Sequence, residues 1–259
     1  MTWLSFENVQ FFLVVFVRVT AMISLLPVLG SQNIPVHVKV ILSFVLAIII
    51  FPMVPIPSTR LDQFSTVHFF VMIIKEVFVG LLIGFASTFL FAAVQFAGRL
   101  IDTQMGFALV QLIDPFTDAR VSTMGQFKTL VFTIFFLLIN GHFFLILAIQ
   151  KSFEVIPLLG VSMPGGKIAF LLVSMAGNVF VAALKLSAPV FIALVLTSIT
   201  MGIVARTVPQ VNVFFVGLPL KIGVGLVSMI VALPMLTTVF KKMFDALMQD
   251  LWKLLYLMA

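Results

Sequence analysis

Ile168–Ala205 reads IAFLLVSMAGNVFVAALKLSAPVFIALVLTSITMGIVA. Its 38 positions carry a single charge, Lys185, and a single proline, Pro189. As a helix at about 1.5 Å per residue it would span roughly 57 Å, against a bilayer core of about 30 Å. Lys185 and Pro189 near the middle therefore predict a kinked element or a hairpin rather than one straight crossing. Inside lipid only helices and closed barrels satisfy the backbone. The run shows no polar–apolar alternation, so helix is the reading.

Five further stretches have the same character: Asn8–Leu29, Val40–Pro57, Phe69–Ala97, Thr129–Ile149 and Val211–Phe240. The third and the last are also long for one crossing, and Pro219 and Pro234 add predicted kinks to the last. Over the 259 residues 62% are apolar and 9% charged, where a soluble domain carries about 45–50% and about 25%. So few charges cannot build an aqueous surface, and lipid or tightly packed subunits must supply the environment. The 30 Phe and 14 Met fill irregular apolar contacts without hydrogen bonds. The fold class is therefore all-α, a polytopic membrane protein of about six long, kinked helices. Residues 1–240 read as one polytopic domain. In 241–259, Phe244, Leu247, Met248, Leu251, Leu255 and Met258 recur at helical spacing between Asp245, Gln249 and Lys253. That is an amphipathic helix for a membrane surface or a partner.

The net charge of +6 comes from 15 Lys+Arg against 9 Asp+Glu. The basic residues are scattered singly, which argues against nucleic acid. With six crossings, Arg60, Lys151, Lys167, Lys241, Lys242 and Lys253 fall on one side. Lys39, Arg99, Arg120, Lys128 and Arg206 fall on the other, so the positive-inside rule leaves orientation open. Arg18, Lys75, Glu76, Lys185 and Lys221 lie within apolar stretches. Such charges face partners or water, or snorkel from helix ends; Arg18 and Lys75 fit either reading, Lys185 the former better. Cysteine is absent, which excludes disulfides and thiolate metal sites. No basic segment precedes Arg18, so the first helix is expected to remain in the mature protein.

Catalytic chemistry is missing from the sequence. No phosphate-binding loop of the Gly-x-x-x-x-Gly-Lys-Ser/Thr type occurs. His37, His68 and His142 are far apart without ligand spacing. Glu76 is the one acid in a long apolar stretch, so a paired-carboxylate relay has no basis. A non-enzyme without cofactor or metal is expected.

Four blocks carry more information. Gly80 and Gly84 form a small-xxx-small pattern that permits close helix approach, within the chain or with another subunit. Gly98–Arg120 reads as a connection, yet it carries Met105, Phe107, Leu109, Val110, Leu112, Ile113 and Phe116, with an Asp114-Pro115 turn. An apolar loop implies burial, in a pore, in an interface or as a re-entrant piece packed internally. Asn140-Gly141-His142 interrupts an apolar helix and predicts a kink. Arg206, Pro209, Gln210 and Asn212 make a short polar turn between two apolar helices.

Together with Gly98…Asp102…Gln104-Met-Gly106, Ile113-Asp-Pro115 and Asn140-Gly-His142, the turn in Gly202–Ile222 resembles the FliR family of flagellar type III export-gate subunits, homologous to the injectisome SctT/YscT/SpaR family. No single block is decisive; their order from about Lys75 to Ile222 is specific. The resemblance implies kinked hairpins within a helical heteromeric assembly in the bacterial inner membrane, at the flagellar basal body. It implies FliP-type and FliQ-type partners, a FlhB-type switch protein, membrane lipid, and exported flagellar proteins as substrates. The segment matching Asp102–Ser122 would be the channel plug, with Met105, Phe107, Leu109, Leu112, Ile113 and Phe116 as its apolar groups and Asp102, Asp118 and Arg120 at wet rims. Gly80, Gly84, Asp102, Arg206, Pro209, Gln210 and Asn212 would be structural or interface positions. Other readings are an injectisome gate subunit, a passive scaffold, and a small-solute transporter using Arg18, Glu76, Lys185 and Lys221. The transporter would show inverted repeats, and none is found.

Overall fold

A computed structural model of the chain describes residues 6–55, 66–107, 122–158, 160, 164–210 and 212–259. Apolar sequence has become long helix: α1 (Phe6–Leu25), α2 (Val36–Ile50), α3 (Thr66–Met105), α4 (Thr123–Leu138), α5 (Gly141–Val155), α6 (Gly165–Thr207) and α7 (Val213–Met258). A short 3-10 turn, Phe51–Met53, extends α2. Five of these helices are long and apolar enough to cross a membrane. α4 and α5 qualify only together, as a pair bent by 66°.

The break in that pair sits where Asn140-Gly141 predicts it. Asn140 adopts φ 58°, a left-handed conformation that Asn tolerates better than most residues and that ends a helix. The prolines do not end their helices. α6 is one 43-residue helix through Lys185 and Pro189, not a hairpin. Pro189 lacks the backbone N–H that would serve the Lys185 carbonyl; close by, Ser187 Oγ donates to the Leu184 carbonyl (3.2 Å) and Lys128 Nζ to the Leu186 carbonyl (3.0 Å). α7 likewise passes through Pro219 and Pro234, and Thr237 Oγ1 donates to the Pro234 carbonyl at 2.7 Å. α3 runs on past Ala97, so Gly98–Met105 is helix rather than connection. Ile101 and Met105 there are wholly buried, and packing of those side chains carries the helix forward.

The chain forms two compact units: Met1–Phe89 with Ile139–Ala176 and Ala246–Ala259, and Leu90–Leu138 with Gly177–Asp245. In the first, Phe12 stands edge-on to Phe44 and Phe51 (centroids 5.5 and 5.7 Å), which seats α1 on α2. Gly80 and Gly84 lie against the other side of α1: a Cβ on Gly80 would come within 2.9 Å of Ala21 Cβ, and one on Gly84 within 2.9 Å of Leu25 Cβ. The small-xxx-small pattern is thus used inside the chain, to bring two backbones together. In the second unit Phe132 and Phe135 of α4 pack edge-on to Phe240 of α7 (4.5 and 5.5 Å), and Phe96 of α3 to Phe180 of α6 (5.2 Å). Aromatic pairs in this geometry contribute about 0.5–1.5 kcal/mol each beyond burial.

The outward faces are as apolar as the inner ones. Ile41, Phe170, Phe215 and Val231 are more than half exposed, as lipid or partner subunits require and water does not tolerate.

Gly80→Leu should therefore overpack the α1–α3 contact at a cost of about 1–3 kcal/mol, whereas Gly177→Ala, whose added Cβ meets nothing within 4 Å, should be tolerated. Thermal midpoints of the detergent-solubilised protein, read by size-exclusion chromatography after heating, check this: the first falls and the second does not.

Candidate functional site

The first unit contains a charge in its core. Arg18, 1% exposed, lies on the face of α1 that packs inward. Its guanidinium is ion-paired through Nε to Glu76 Oε2 of α3, and Glu76 is itself wholly buried. The remaining N–H groups go to the end of α5: NH1 donates to the Ser152 carbonyl (3.1 Å), Ser152 Oγ (3.3 Å) and the Ile156 carbonyl (3.2 Å), and NH2 also to Ile156 (3.2 Å). The carbonyls at a helix C-terminus carry the negative end of its dipole, so a guanidinium is well matched to them; the Ser152 carbonyl accepts it in addition to the Ile156 N–H (2.9 Å). Phe153 completes the cage, with Arg18 Cζ 4.1 Å from its ring centroid. Glu76 Oε1 has no hydrogen-bond partner among the described residues. The reading of Arg18 as a snorkelling residue fails: a planar fork with five donors finds its acceptors inside the unit. Because guanidinium does not deprotonate, the pair is a brace joining α1, α3 and α5 and not a proton relay. Of the other intramembrane charges, Lys75 and Lys221 are half-buried and Lys185 is exposed.

The second unit holds the base of the loop that follows α3. Asp102 is buried, not at a wet rim, and its Oδ1 accepts the Met124 N–H of α4's first turn at 3.0 Å. Ser122 caps the same turn, its Oγ accepting the Gly125 N–H at 2.8 Å. Four residues before Asp102, Gly98 touches Gly125 backbone to backbone; a Cβ at Gly98 would overlap it. Gly106 then takes φ 90° and leaves the helix, its N–H returning to the Asp102 carbonyl at 3.1 Å. That is a conformation suited to glycine. Met105 is wholly buried and fills the space beside Gly225 of α7, where an added Cβ would meet its Sδ at 2.9 Å. The end of α3 and the start of α4 are thus fastened together by one carboxylate, one cap and one glycine contact.

Of the proposed plug residues, Met105 is buried and Phe107 half-buried. Leu109, Leu112, Ile113 and Phe116 lie outside the described residues, as do Asp118 and Arg120. Arg206 stands in the last turn of α6, and Pro209 and Gln210 follow it; all three are exposed. The Asn212 carbonyl accepts the N–H groups of Phe215 and Val216 (3.1 and 3.3 Å) and so opens α7. Lys128 was missed: counted as a loop charge, it is 2% exposed within α4. Its place at the edge of an apolar stretch gave no sign of the Leu186 carbonyl it serves. No cluster of three or more metal-ligating side chains occurs among the described residues.

Long apolar helices with apolar outward faces and an ion pair used as a brace define a polytopic helical membrane protein. Residues 9–247 match the family of bacterial export proteins, family 1, and the chain belongs to that family. It is similar to the flagellar biosynthetic protein FliR of Bacillus subtilis (strain 168), at 37% identity over 96% of this chain and 95% of that protein. The FliR proteins of Escherichia coli (strain K12) and Aquifex aeolicus (strain VF5) are each 29% identical, over 94% and 91% of this chain and 91% and 88% of theirs.

The brace makes a double-mutant prediction. Arg18→Met strands Glu76 in the core and should cost roughly 3–5 kcal/mol, whereas Arg18→Met with Glu76→Leu should recover most of the loss. Thermal unfolding of the four proteins in one detergent closes the cycle; if both single changes leave the midpoint unmoved, the pair is not a brace.

Proposed function

We propose that this chain closes the flagellar protein-export channel with the loop that leaves α3 at Gly106. It is a membrane-embedded, flagellar export-gate subunit. In the finer reading it works in the bacterial inner membrane, at the basal body, in a complex with FliP-type and FliQ-type subunits and a FlhB-type switch protein. It breaks and forms no covalent bond there, and the energy for export is supplied by other components.

The observation that carries the reading is the clamp of Asp102 on the Met124 N–H. A plug must yield when a polypeptide enters and return afterwards. It therefore needs a fixed base and a movable tip. Asp102, Ser122 and the Gly98–Gly125 contact supply the base. Gly106 supplies the exit from the helix, and Met105 a flexible anchor that can slide without losing hydrogen bonds. Between them the sequence provides Phe107, Leu109, Leu112, Ile113 and Phe116. A narrow ring of such groups dewets, and a dewetted constriction holds back ions and protons. The transporter reading lacks a comparable basis, since Arg18 and Glu76 neutralise each other and Lys185 is exposed.

Shortening Gly106–Phe116 should leave assembly intact and make cells leaky to ions and small solutes. Growth and membrane permeability after induction read the leak, and recovery of the heteromeric particle reads assembly. A variant that assembles fully in a membrane as tight as before removes the plug from consideration.

The exposed turn gives an independent expectation. Combining Arg206→Ala, Gln210→Ala and Asn212→Ala should lower the yield of the complex with FliP-type and FliQ-type subunits, and motility with it. The thermal midpoint of the chain alone should stay where it was. Unchanged co-purification and swimming would mean that the turn meets only solvent.

A further inference from the structure

The first unit carries a cleft that neither the brace nor the loop accounts for. It lies between the start of α6 and the end of α7, encloses about 820 Å³, and is walled by Lys167, Phe170 and Ser174 on one side and Trp252, Lys253 and Tyr256 on the other. That volume falls within the roughly 300–1,000 Å³ of clefts that hold small ligands. The wall is mostly apolar, with its polar groups of one kind: two ammonium groups, an indole, a phenol and a hydroxyl.

The choice of aromatics is informative. The chain has 30 Phe but only two Trp and one Tyr, and the cleft takes one of the former and the latter. Trp and Tyr, apolar with one polar tip, collect at the level of lipid headgroups. The sequence of α6 changes character at the same place: Pro164-Gly165-Gly166-Lys167 is polar or small, and from Ile168 onward it is apolar. The cleft therefore straddles a boundary between polar and apolar surroundings. Its charge is unbalanced. Lys253 shares its Nζ with Asp250 Oδ1 at 2.8 Å, whereas Lys167 is exposed and has no partner among the described residues. Two ammonium groups against one carboxylate leave about one positive charge at the mouth, which complements a phosphodiester. The face of Phe170, 78% exposed, continues inward as an apolar wall along which an acyl chain fits.

We propose that this cleft binds an anionic phospholipid, its phosphate at Lys167 and Lys253 and its acyl chain along Phe170. Basic pockets between membrane helices recognise anionic headgroups in this way. A partner helix would need a wall that is apolar throughout or a carboxylate placed to meet Lys167. The occupant inferred here is the lipid, and the inference does not depend on where the plug lies.

The test uses the heteromeric particle reconstituted in bilayers of phosphatidylcholine and phosphatidylglycerol, with lipid retained after re-extraction counted by native mass spectrometry. The intact protein should keep phosphatidylglycerol in preference to phosphatidylcholine. Lys167→Ala should lower that retention about fivefold, the worth of one basic side chain at a membrane surface, and Lys167→Arg should restore it. Ser174→Trp, which fills the cleft without touching its charge, should abolish retention while the particle still forms. Equal retention in all variants, or equal retention of both lipids, overturns the proposal. Displacement of the lipid by inorganic phosphate would show a free-anion site instead, and failure of the Lys167→Ala particle to assemble would show a protein interface; either outcome also overturns it.

Discussion

The Arg18 guanidinium is the constraint around which the first unit is arranged. An unpaired charge in an apolar core costs several kcal/mol, so once Arg18 is buried its acceptors must be brought to it. Glu76 supplies the opposite charge and the end of α5 supplies two carbonyls at the negative end of its dipole. Three segments far apart in sequence, near residues 18, 76 and 152–156, are thereby held at one point. The glycines nearby follow from this. Gly80 lies one turn beyond Glu76 on α3, and its missing side chain lets α3 come close enough to α1 for the ion pair. Apolar burial alone would hold these helices together, but it is non-directional and would permit them to slide. The ion pair and the carbonyl contacts fix the register.

The second unit uses the same economy of polar groups for a different end. Asp102 and Lys128 are its buried charges among the described residues, and each is spent on backbone: Asp102 on the first turn of α4, Lys128 on α6 beside Pro189. Neither meets an opposite charge. A carboxylate that accepts a helix N-terminal N–H serves a donor the helix itself cannot pair, and the Lys128 ammonium finds a carbonyl acceptor inside the unit. The gate proposed above thus rests on a frame whose buried charged groups are already committed to backbone.

Much of the fold was legible in the sequence because composition admits few alternatives: with 62% apolar residues the elements had to be helices. The Asn140 break was legible for a local reason, since Asn-Gly in an apolar run has few other uses. The prolines left two outcomes open, a kink or a hairpin, and at Pro189 the continuous α6 removes the hairpin. Asp102 misled: an acid at the edge of a loop reads as solvated, and only the approach of Gly125 to Gly98 shows that it faces a helix end. Gly80 and Gly84 signalled a close contact without naming the partner, which turned out to be α1. The Arg18–Glu76 pairing was within reach, as two opposite charges set in apolar helices; what sequence lacked was the separation between them.

The 43 residues of α6 bear on how the chain enters a membrane. A bilayer accepts about 20 apolar residues as one crossing, so α6 contains more than one overlapping window that would serve. Nothing in its composition prefers one of them strongly, because between Lys167 and Arg206 the run is apolar apart from Lys185 near its centre. The seat that α6 finally takes must be chosen by neighbouring subunits as they cover whatever the lipid does not. Supply of those neighbours then acts as proofreading: a chain made in step with them is drawn to one depth, and a chain made in excess is left with several equally comfortable positions and no means of choosing.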